Sequence, residues 1–140
     1  MKSSIKWEGN LKFSADNGRG HTAIHDATID VDGNKSGPTP MEYMLQSVAT
    51  CSGMDVVSII KKKRKTISDF KIEISGERQD EHPQVFTSAI IHYTLTSPDA
   101  EEKDLKRAVE LSQEKYCAAS GMFQMAGIIP RWTIEIIRPD

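Results

Sequence analysis

One long, largely apolar segment in the first half of the chain decides the fold. Residues 39–65 read TPMEYMLQSVATCSGMDVVSIIKKKRK. Thr39, Pro40 and Glu42 form a capping-box signature, with proline at the first helical position and glutamate at the third. Beyond this cap, apolar residues recur at helical spacing and charged residues are few. The sequence therefore predicts a long helix from Pro40 to Ile60 that is covered by protein on most of its surface.

Segments on both sides of this helix are typical of strands and shorter helices. A second helix is predicted from Ser97 to about Cys117, and a short third helix, residues 121–126, is expected to be capped by Ser120. Strands and helices are thus segregated, which predicts an α+β fold in a single domain over residues 1–140. The predicted strands are residues 4–13 with a kink or bulge at Gly9, 21–25, 28–31, 69–76, 84–95 and 132–137, with turns or loops at 16–20, 32–38 and 77–83.

Composition excludes several classes of partner. The formal net charge is −2, which argues against nucleic acid as the main partner. The basic run at residues 61–65 has two readings, a nucleic-acid or lipid surface and a solvated helix end that complements the macrodipole, and its position favours the second. The N-terminus has no apolar signal core, and no run approaches 18 consecutive apolar residues. A cytoplasmic protein without a membrane partner is expected.

The length of the chain also bears on its assembly. With 140 residues, the chain has too little sheet to cover a mostly apolar helix of this length by itself. An intertwined homodimer would supply the missing cover.

The two cysteines are the main candidates for chemistry. Cys51 lies in the middle of the long helix among small residues, and Cys117 lies 66 positions later at the predicted end of the second helix. Each is open to two readings, a buried core cysteine or one member of a redox pair. A helix dipole acts at the first turn, so a reactive Cys51 would need a cation from elsewhere, and Asp55 would oppose its thiolate.

Glu42 and Arg19 are the candidate charged partners. Glu42 already has a role as a helix cap, and about 13 Å of helix separates it from Cys51 on the opposite face, so the two meet only across an antiparallel pair of chains. Arg19 lies in a glycine-rich turn, either as a solvated arginine or as a guanidinium that a flexible loop delivers to a thiolate. The four histidines lack the spacing of a zinc site, and no metal is expected.

The segments 37–45, 49–57 and 114–117, together with Trp7-Glu8-Gly9, resemble the OsmC/Ohr family over essentially the whole chain, and most closely its OsmC-like branch. The resemblance implies an obligate intertwined homodimer, with two long central helices wrapped by six-stranded sheets and two active sites at the interface. It also implies a peroxidase that acts on organic hydroperoxides. It would use no metal or organic cofactor, and an external dithiol such as a lipoylated protein would regenerate it.

Each candidate residue takes a role from this resemblance. Cys51 would be the peroxidatic thiol that becomes a sulfenic acid, and Cys117 the resolving thiol that condenses with it to a disulfide. Arg19 would stabilise the thiolate, and Glu42 would orient the arginine. A dry pocket around the thiol would favour apolar peroxides over hydrogen peroxide.

A second reading is a non-catalytic dimer that binds a fatty or otherwise apolar ligand in the interface pocket. Two features favour this reading. Glu42 would be only a helix cap, and Met41 stands where the peroxidases of the family carry their glutamate. Methionines 44, 54, 122 and 125 would suit such an adaptable pocket, although scattered methionines are more often core filler. The third and weakest reading is a nucleic-acid or lipid surface formed by the basic run.

Overall fold

The computed structural model describes residues 1–28 and 35–140. Most of the predicted strand at 28–31 and the start of the predicted loop at 32–38 are residues 29–34, which lie outside the described residues. The chain forms two compact units, Met1–Met44 and Leu45–Asp140, and each is described by itself.

The first unit contains a three-stranded antiparallel sheet in the order β1-β2-β3. Its strands are β1 (Ser4–Trp7), β2 (Phe13–Asp16) and β3 (Thr22–His25).

The prediction of one bulged strand over residues 4–13 is wrong. Gly9 and Asn10 both have positive φ, 101° and 46°, and the Glu8 N–H donates to the Lys12 carbonyl at 2.8 Å. Two consecutive positive φ angles reverse the chain rather than bend it. The segment therefore forms a hairpin.

The long helix α1 (Pro40–Lys62) confirms the prediction and extends two residues beyond it. Its capping box is formed, because the Glu42 N–H donates to Thr39 Oγ1 at 3.2 Å and the Thr39 N–H donates to Glu42 Oε1 at 3.1 Å. By length and composition alone, α1 is the one helix in the described ranges that could cross a membrane, a test that the core helix of a soluble protein also passes. Its buried residues all belong to the second unit: Val48, Ala49, Ser52, Gly53, Val56 and Ile60.

The second unit contains a mixed sheet in the order β4-β5-β6. Its strands are β4 (Asp69–Ser75), β5 (Ile90–Thr96) and β6 (Arg131–Ile137). β4 and β5 pair antiparallel, which confirms that consecutive strands meet there. β5 and β6 pair parallel, so the expectation of purely antiparallel sheets is wrong in this unit. The reason is the long helical crossover between them, which returns the chain to the same end of the sheet.

That crossover consists of α2 (Glu102–Leu111), a π-helical turn (Ser112–Tyr116) and α3 (Ala118–Met125). The third helix begins earlier than predicted, and its N-cap is Cys117 rather than Ser120. The cause is that the Cys117 sulfur accepts a hydrogen bond from the Ser120 N–H at 3.3 Å.

Two further boundaries differ from prediction. The predicted strand at 84–95 begins only at Ile90, and the earlier part forms one isolated bridge, Arg78 with Phe86. Helix α2 begins at Glu102 rather than at Ser97. Ser97 lies in a separate turn, where its hydroxyl accepts a hydrogen bond from the N–H of Ala100 at 2.9 Å. Helices and strands in these proportions, with one long helix, confirm the predicted α+β class.

Candidate active site

The π-helical turn sets the position of Cys117. The Cys117 N–H donates to the carbonyl of Ser112, five residues earlier, at 2.7 Å. Short π-helical segments are rare and occur frequently at functional sites. The turn leaves the Cys117 sulfur 3.9 Å from the carbonyl oxygen of Val48 on α1, one helical turn before Cys51.

The Cys51 side chain lies near enough to Cys117 to affect the pKa of its thiol. Both thiols are free; Cys51 is half-buried, whereas Cys117 is only 5% exposed. Burial is the main reason that the pKa of Cys117 is raised, and the backbone N–H and the hydroxyl of Ser120 oppose that shift. A further contribution that raises it comes from the hydrogen bond and charge of Cys51. The arrangement therefore pairs a more accessible thiol with a buried one that is protonated at neutral pH.

A buried polar cluster holds the π-helical turn against α1. Ser52 Oγ lies 2.6 Å from the Tyr93 hydroxyl and 2.8 Å from Ser112 Oγ. Gln113 Nε2 donates to Ser52 Oγ at 3.2 Å and to the Tyr93 hydroxyl at 2.9 Å. The Ser112 hydroxyl also donates to Asp55 Oδ2 at 3.0 Å. We refer to these five residues as the hydroxyl cluster, which fixes α1, β5 and the residues before Cys117 to one another.

Tyr93 is a fully buried member of the hydroxyl cluster, as are Ser52 and Ser112. Burial raises the pKa of its hydroxyl, while the hydrogen bonds from Ser52 and Gln113 work in the opposite direction. Smaller contributions that raise it come from Cys117 and Asp55. The phenol is therefore neutral at physiological pH and acts as a hydrogen-bonding group.

Sequence reasoning did not find this cluster. Its hydrogen-bonded pairs lie 20 to 61 positions apart along the chain, so no local spacing marks them as partners. The serine that follows Cys51 and the tyrosine inside a predicted strand both looked like ordinary core residues. Two buried polar atoms near the cluster, Gln113 Oε1 and Ser120 Oγ, make no hydrogen bond.

Arg19 and Glu42 both belong to the first unit. Arg19 is exposed in the predicted turn, where Asn17 Oδ1 accepts its backbone N–H at 2.9 Å. Within the described ranges, no carboxylate lies within 4 Å of its guanidinium. The Glu42 carboxylate accepts from its own helix cap. Their roles as thiolate-stabilising cation and orienting carboxylate thus stay predictions.

The basic run at residues 61–65 ends the helix and is partly paired inside the second unit. Lys63 Nζ lies 3.2 Å from Asp104 Oδ1, and Lys65 Nζ lies 3.9 Å from Asp104 Oδ2. Lys65 also donates to the carbonyl of Asp99 at 3.0 Å. These contacts favour the helix-end reading, with the addition that Asp104 neutralises part of the charge.

An apolar groove of about 340 Å³ runs between α1 and β4 in the second unit. Thr50 and Gly53, which flank the Cys51 turn, lie on its helical side. Its remaining lining residues are Gln46, Ala49, Phe70, Ile72 and Ile74. Four methionines are exposed rather than core filler: Met44, Met54, Met122 and Met125. Among residues 1–28 and 35–140, no three His, Cys, Asp or Glu side chains are grouped to hold a metal ion.

The protein is similar to several known proteins over most of its length. The family model described as OsmC-like protein matches residues 33–129. Protein YhfA of Escherichia coli strain K12 is 36% identical over 126 residues, which is 90% of this chain and 91% of YhfA.

Solved structures share the same architecture. The crystal structure of a hypothetical protein from Aquifex aeolicus VF5 is 30% identical, with a TM-score of 0.86 over 99% of this chain and 97% of that one. The organic hydroperoxide resistance protein OhrB of Bacillus subtilis is 14% identical, with a TM-score of 0.64 over 95% and 96% of the two chains. At that identity, the second likeness concerns the fold alone.

Proposed function

Since the chain belongs to the OsmC family, we propose that it is a thiol peroxidase that reduces organic hydroperoxides with Cys51 and Cys117. Membership supports a role in redox and peroxide stress at the level of the family, and the resemblance to the OsmC-like branch is confirmed. The peroxidase activity itself is the proposal. We further propose that the protein works as a homodimer in the cytoplasm, where a reducing environment would keep both thiols free.

The observation that carries this proposal is the proximity of the two thiols, which lie close enough for Cys51 to raise the pKa of Cys117. Cys51 is the more accessible thiol and Cys117 is the buried one beside it. A peroxide that reaches the pair from solvent would meet Cys51 first. The oxidised sulfur would then already have Cys117 beside it, as a peroxidatic and a resolving cysteine require.

The chemistry balances in two steps. The Cys51 thiolate attacks the outer oxygen of the hydroperoxide and the O–O bond breaks. The alkoxide takes up a proton and leaves as the alcohol. Cys51 is thereby oxidised to a sulfenic acid while the peroxide is reduced. The Cys117 sulfur then attacks the Cys51 sulfur, a disulfide forms, and the hydroxyl group leaves as water with the thiol proton of Cys117. An external dithiol, which we propose to be a lipoylated or similar protein, reduces the disulfide by thiol exchange.

The polar groups around Cys51 do not activate it by themselves. The residue lies in the middle of α1, away from the positive end of the helix dipole, and Asp55 lies one turn further on. A cation is therefore needed, and we propose that Arg19 supplies it and that Glu42 orients the guanidinium. Glu42 and Cys51 of one chain lie on opposite faces of the helix. We therefore propose that Glu42 and Arg19 act from the second chain of a dimer.

The apolar groove and the exposed methionines favour an apolar peroxide. The groove between α1 and β4 and the exposed methionines would offer little to stabilise hydrogen peroxide but would bury the organic group of a larger peroxide.

Single-turnover thiol loss tests the proposal. Reduced protein is mixed with one equivalent of cumene hydroperoxide or of hydrogen peroxide, free thiols are counted and intact mass is measured. We expect rapid loss of two thiols and two mass units, faster with the organic peroxide. Thiols that react no faster than free cysteine would contradict the proposal.

The groove also favours a second candidate, a non-catalytic dimer that binds an apolar ligand. This candidate predicts stoichiometric binding of a fatty acid with unreactive thiols. Binding of a fluorescent fatty acid that survives in the Cys51→Ser variant, together with inert thiols in the wild type, would favour it over the peroxidase.

A further inference from the structure

The N-terminus of α3 is built around the sulfur of Cys117. Cys117 occupies the N-cap position with an extended backbone, φ −73° and ψ 102°, and its Sγ accepts the Ser120 N–H at 3.3 Å. Serine, threonine, asparagine and aspartate usually provide this acceptor. A neutral thiol is a weak acceptor, whereas a thiolate is a strong one that also suits the positive end of a helix dipole.

The hydroxyl of Ser120 is a second group that bears on the same sulfur. The side chain of Ser120 is fully buried, at 0% exposure, and its hydroxyl makes no hydrogen bond in this state. A buried hydroxyl without a partner is costly and calls for an explanation. Both the hydroxyl and the backbone N–H of Ser120 act to lower the pKa of Cys117, so each of them favours the thiolate over the thiol.

We propose that Ser120 is a thiolate-binding residue, whose N–H and hydroxyl stabilise the Cys117 thiolate at the N-terminus of α3 and thereby promote disulfide closure. The residue contacts a reacting atom, so its role is catalytic. The part that concerns closure rests on the proposed peroxidase function, whereas stabilisation of the thiolate does not.

The step in question conserves atoms and charge. Cys117 loses its proton and attacks the sulfur of Cys51 in the sulfenic acid. The sulfur–sulfur bond forms, the S–O bond breaks, and hydroxide leaves and takes up a proton to become water. Ser120 donates to the sulfur while it carries charge, and its hydroxyl gains the partner that the resting thiol does not provide. Burial alone would disfavour this thiolate.

Other ionisable groups near Cys117 are few. Cys51 on α1 lies near enough to raise the pKa of Cys117, and Tyr93 on β5 lies near enough for the two to interact electrostatically. Asp55 lies at the other end of the hydroxyl cluster, where Ser112 donates to it. Replacing Cys51 with alanine therefore removes the thiol that raises the pKa of Cys117.

The first test needs no peroxide. The thiolate absorbance at 240 nm is titrated in the Cys51→Ala protein, with and without Ser120→Ala, and the Cys51→Ala/Cys117→Ser protein serves as the baseline. We expect Ser120→Ala to raise the pKa of Cys117 by about one unit, because a hydrogen bond to a charged group is lost. The matched control Ser68→Ala, at an exposed serine outside this region, is expected to leave the pKa unchanged.

A merely structural role for Ser120 predicts a different result. Removing an unpartnered buried hydroxyl would leave the pKa unchanged and would not reduce the midpoint of urea unfolding, and that outcome overturns the proposal. The Ser120→Thr variant keeps a hydroxyl and is expected to retain the lower pKa. If Ser120→Ala raises the pKa of Cys117 but the wild-type protein consumes no peroxide, the peroxidase function is refuted and the thiolate site stands.

The second test follows disulfide closure in the protein with both cysteines. After a pulse of cumene hydroperoxide, sulfenic acid is trapped with dimedone at successive times and the disulfide is quantified by mass. A pKa that is one unit higher lowers the thiolate fraction about tenfold at pH 7 but raises its nucleophilicity about threefold, so Ser120→Ala should slow closure roughly threefold. The formation of sulfenic acid should not change. Closure that is equally fast at pH 7 in both proteins would overturn the assigned role.

Discussion

The hydroxyl oxygens of Ser52 and Ser112 lie 2.8 Å apart although 60 positions separate the two residues. Ser52 directly follows Cys51 on α1, and Ser112 begins the π-helical turn that ends before Cys117. This hydrogen bond therefore joins the two segments that carry the thiols. Tyr93 completes the connection from β5, since its hydroxyl lies 2.6 Å from Ser52 Oγ.

Tyr93→Phe should destabilise the protein, because it leaves Ser52 and Gln113 without one hydrogen-bond partner in a buried site. The expected loss is about 1–3 kcal/mol in the free energy of unfolding, the cost of an unsatisfied buried polar group. Urea unfolding followed by circular dichroism measures it. Tyr116→Phe removes the same hydroxyl from an exposed tyrosine and should change stability by less than about 0.5 kcal/mol. Equal effects of the two substitutions would mean that the hydroxyl cluster contributes nothing.

Asp104 should contribute to stability in a pH-dependent way. The Glu101 N–H donates to its carboxylate at 3.0 Å, and this bond, with Lys63 and Lys65, lowers the pKa of Asp104 below its ordinary 3.8, against the effect of burial. A carboxylate with a lowered pKa stabilises the folded state above its unfolded pKa. This stabilisation is lost as the pH falls from about 3.8 through the lowered folded-state value.

Asp104→Asn is therefore expected to cost about 1–2 kcal/mol at pH 7, the value of charge-assisted hydrogen bonds, and less at pH 3. Thermal unfolding between pH 2.5 and 7 measures the difference. Glu102→Gln, at an exposed position of the same first turn, should lower stability equally little at both pH values. A cost for Asp104→Asn that grows towards low pH would contradict the sign derived above.

The sequence predicted α1 well because its signals are local. The capping box of Thr39 and Glu42 lies within four residues, and the helical spacing of apolar residues extends over six turns. The family resemblance was also predicted, from short segments around Cys51 and Cys117, whereas the roles of the two cysteines stay predictions. In each of these cases the information lies in residues that are neighbours along the chain.

The features that were missed depend on contacts between distant segments or on backbone angles. The hairpin at Gly9 required positive φ at Asn10 as well, which an alternating pattern does not reveal. The start of α3 moved to Cys117 because a sulfur atom replaced the expected serine oxygen as the cap. The partner of Lys63, Asp104, lies 41 positions away, so the pairing was invisible before the fold was known.

Two glycines should respond to alanine in opposite directions. A Cβ at Gly76 would lie 2.9 Å from the carbonyl oxygen of Ser88 and 3.1 Å from side-chain atoms of Leu45 and Phe86. Gly76→Ala should therefore cost about 1–3 kcal/mol, as overpacking does. Gly121 lies inside α3 with open space around its Cα, so Gly121→Ala should stabilise by about 0.5–1 kcal/mol. Urea unfolding of both variants checks the signs, and a neutral Gly76→Ala would contradict the close approach.

The exposed apolar surface of the single chain predicts a homodimer. Met54 on α1 is 73% exposed in one chain, and Met122 and Met125 on α3 are 69% and 87% exposed. Large exposed apolar patches mark interaction surfaces, and we expect a second chain to cover these three side chains. Size-exclusion chromatography with light scattering should give about 31 kDa, twice the 15.6 kDa of one chain.

Met54→Glu should weaken this dimer by placing a charge in an apolar interface, and dissociation should be detectable at micromolar concentration. Lys106→Glu, at an exposed position of α2, is the control and should leave the dimer intact. A well-folded wild-type monomer at all concentrations would refute the intertwined assembly.

Separate substitution of the two cysteines distinguishes their proposed roles. Cys51→Ser should abolish peroxide consumption, because serine cannot be oxidised to a sulfenic acid. Cys117→Ser should still consume one equivalent of cumene hydroperoxide, since Cys51 remains, but the sulfenic acid should persist and react with dimedone. The mass of the intact protein reports both states. Consumption by Cys51→Ser at the wild-type rate without a sulfenic acid on Cys117 would exclude the proposed peroxidase. A persistent sulfenic acid on Cys117 in that variant would reverse the two roles. The burial of Cys117 argues against that reversal, because a peroxide must displace packed side chains to reach a sulfur that is only 5% exposed.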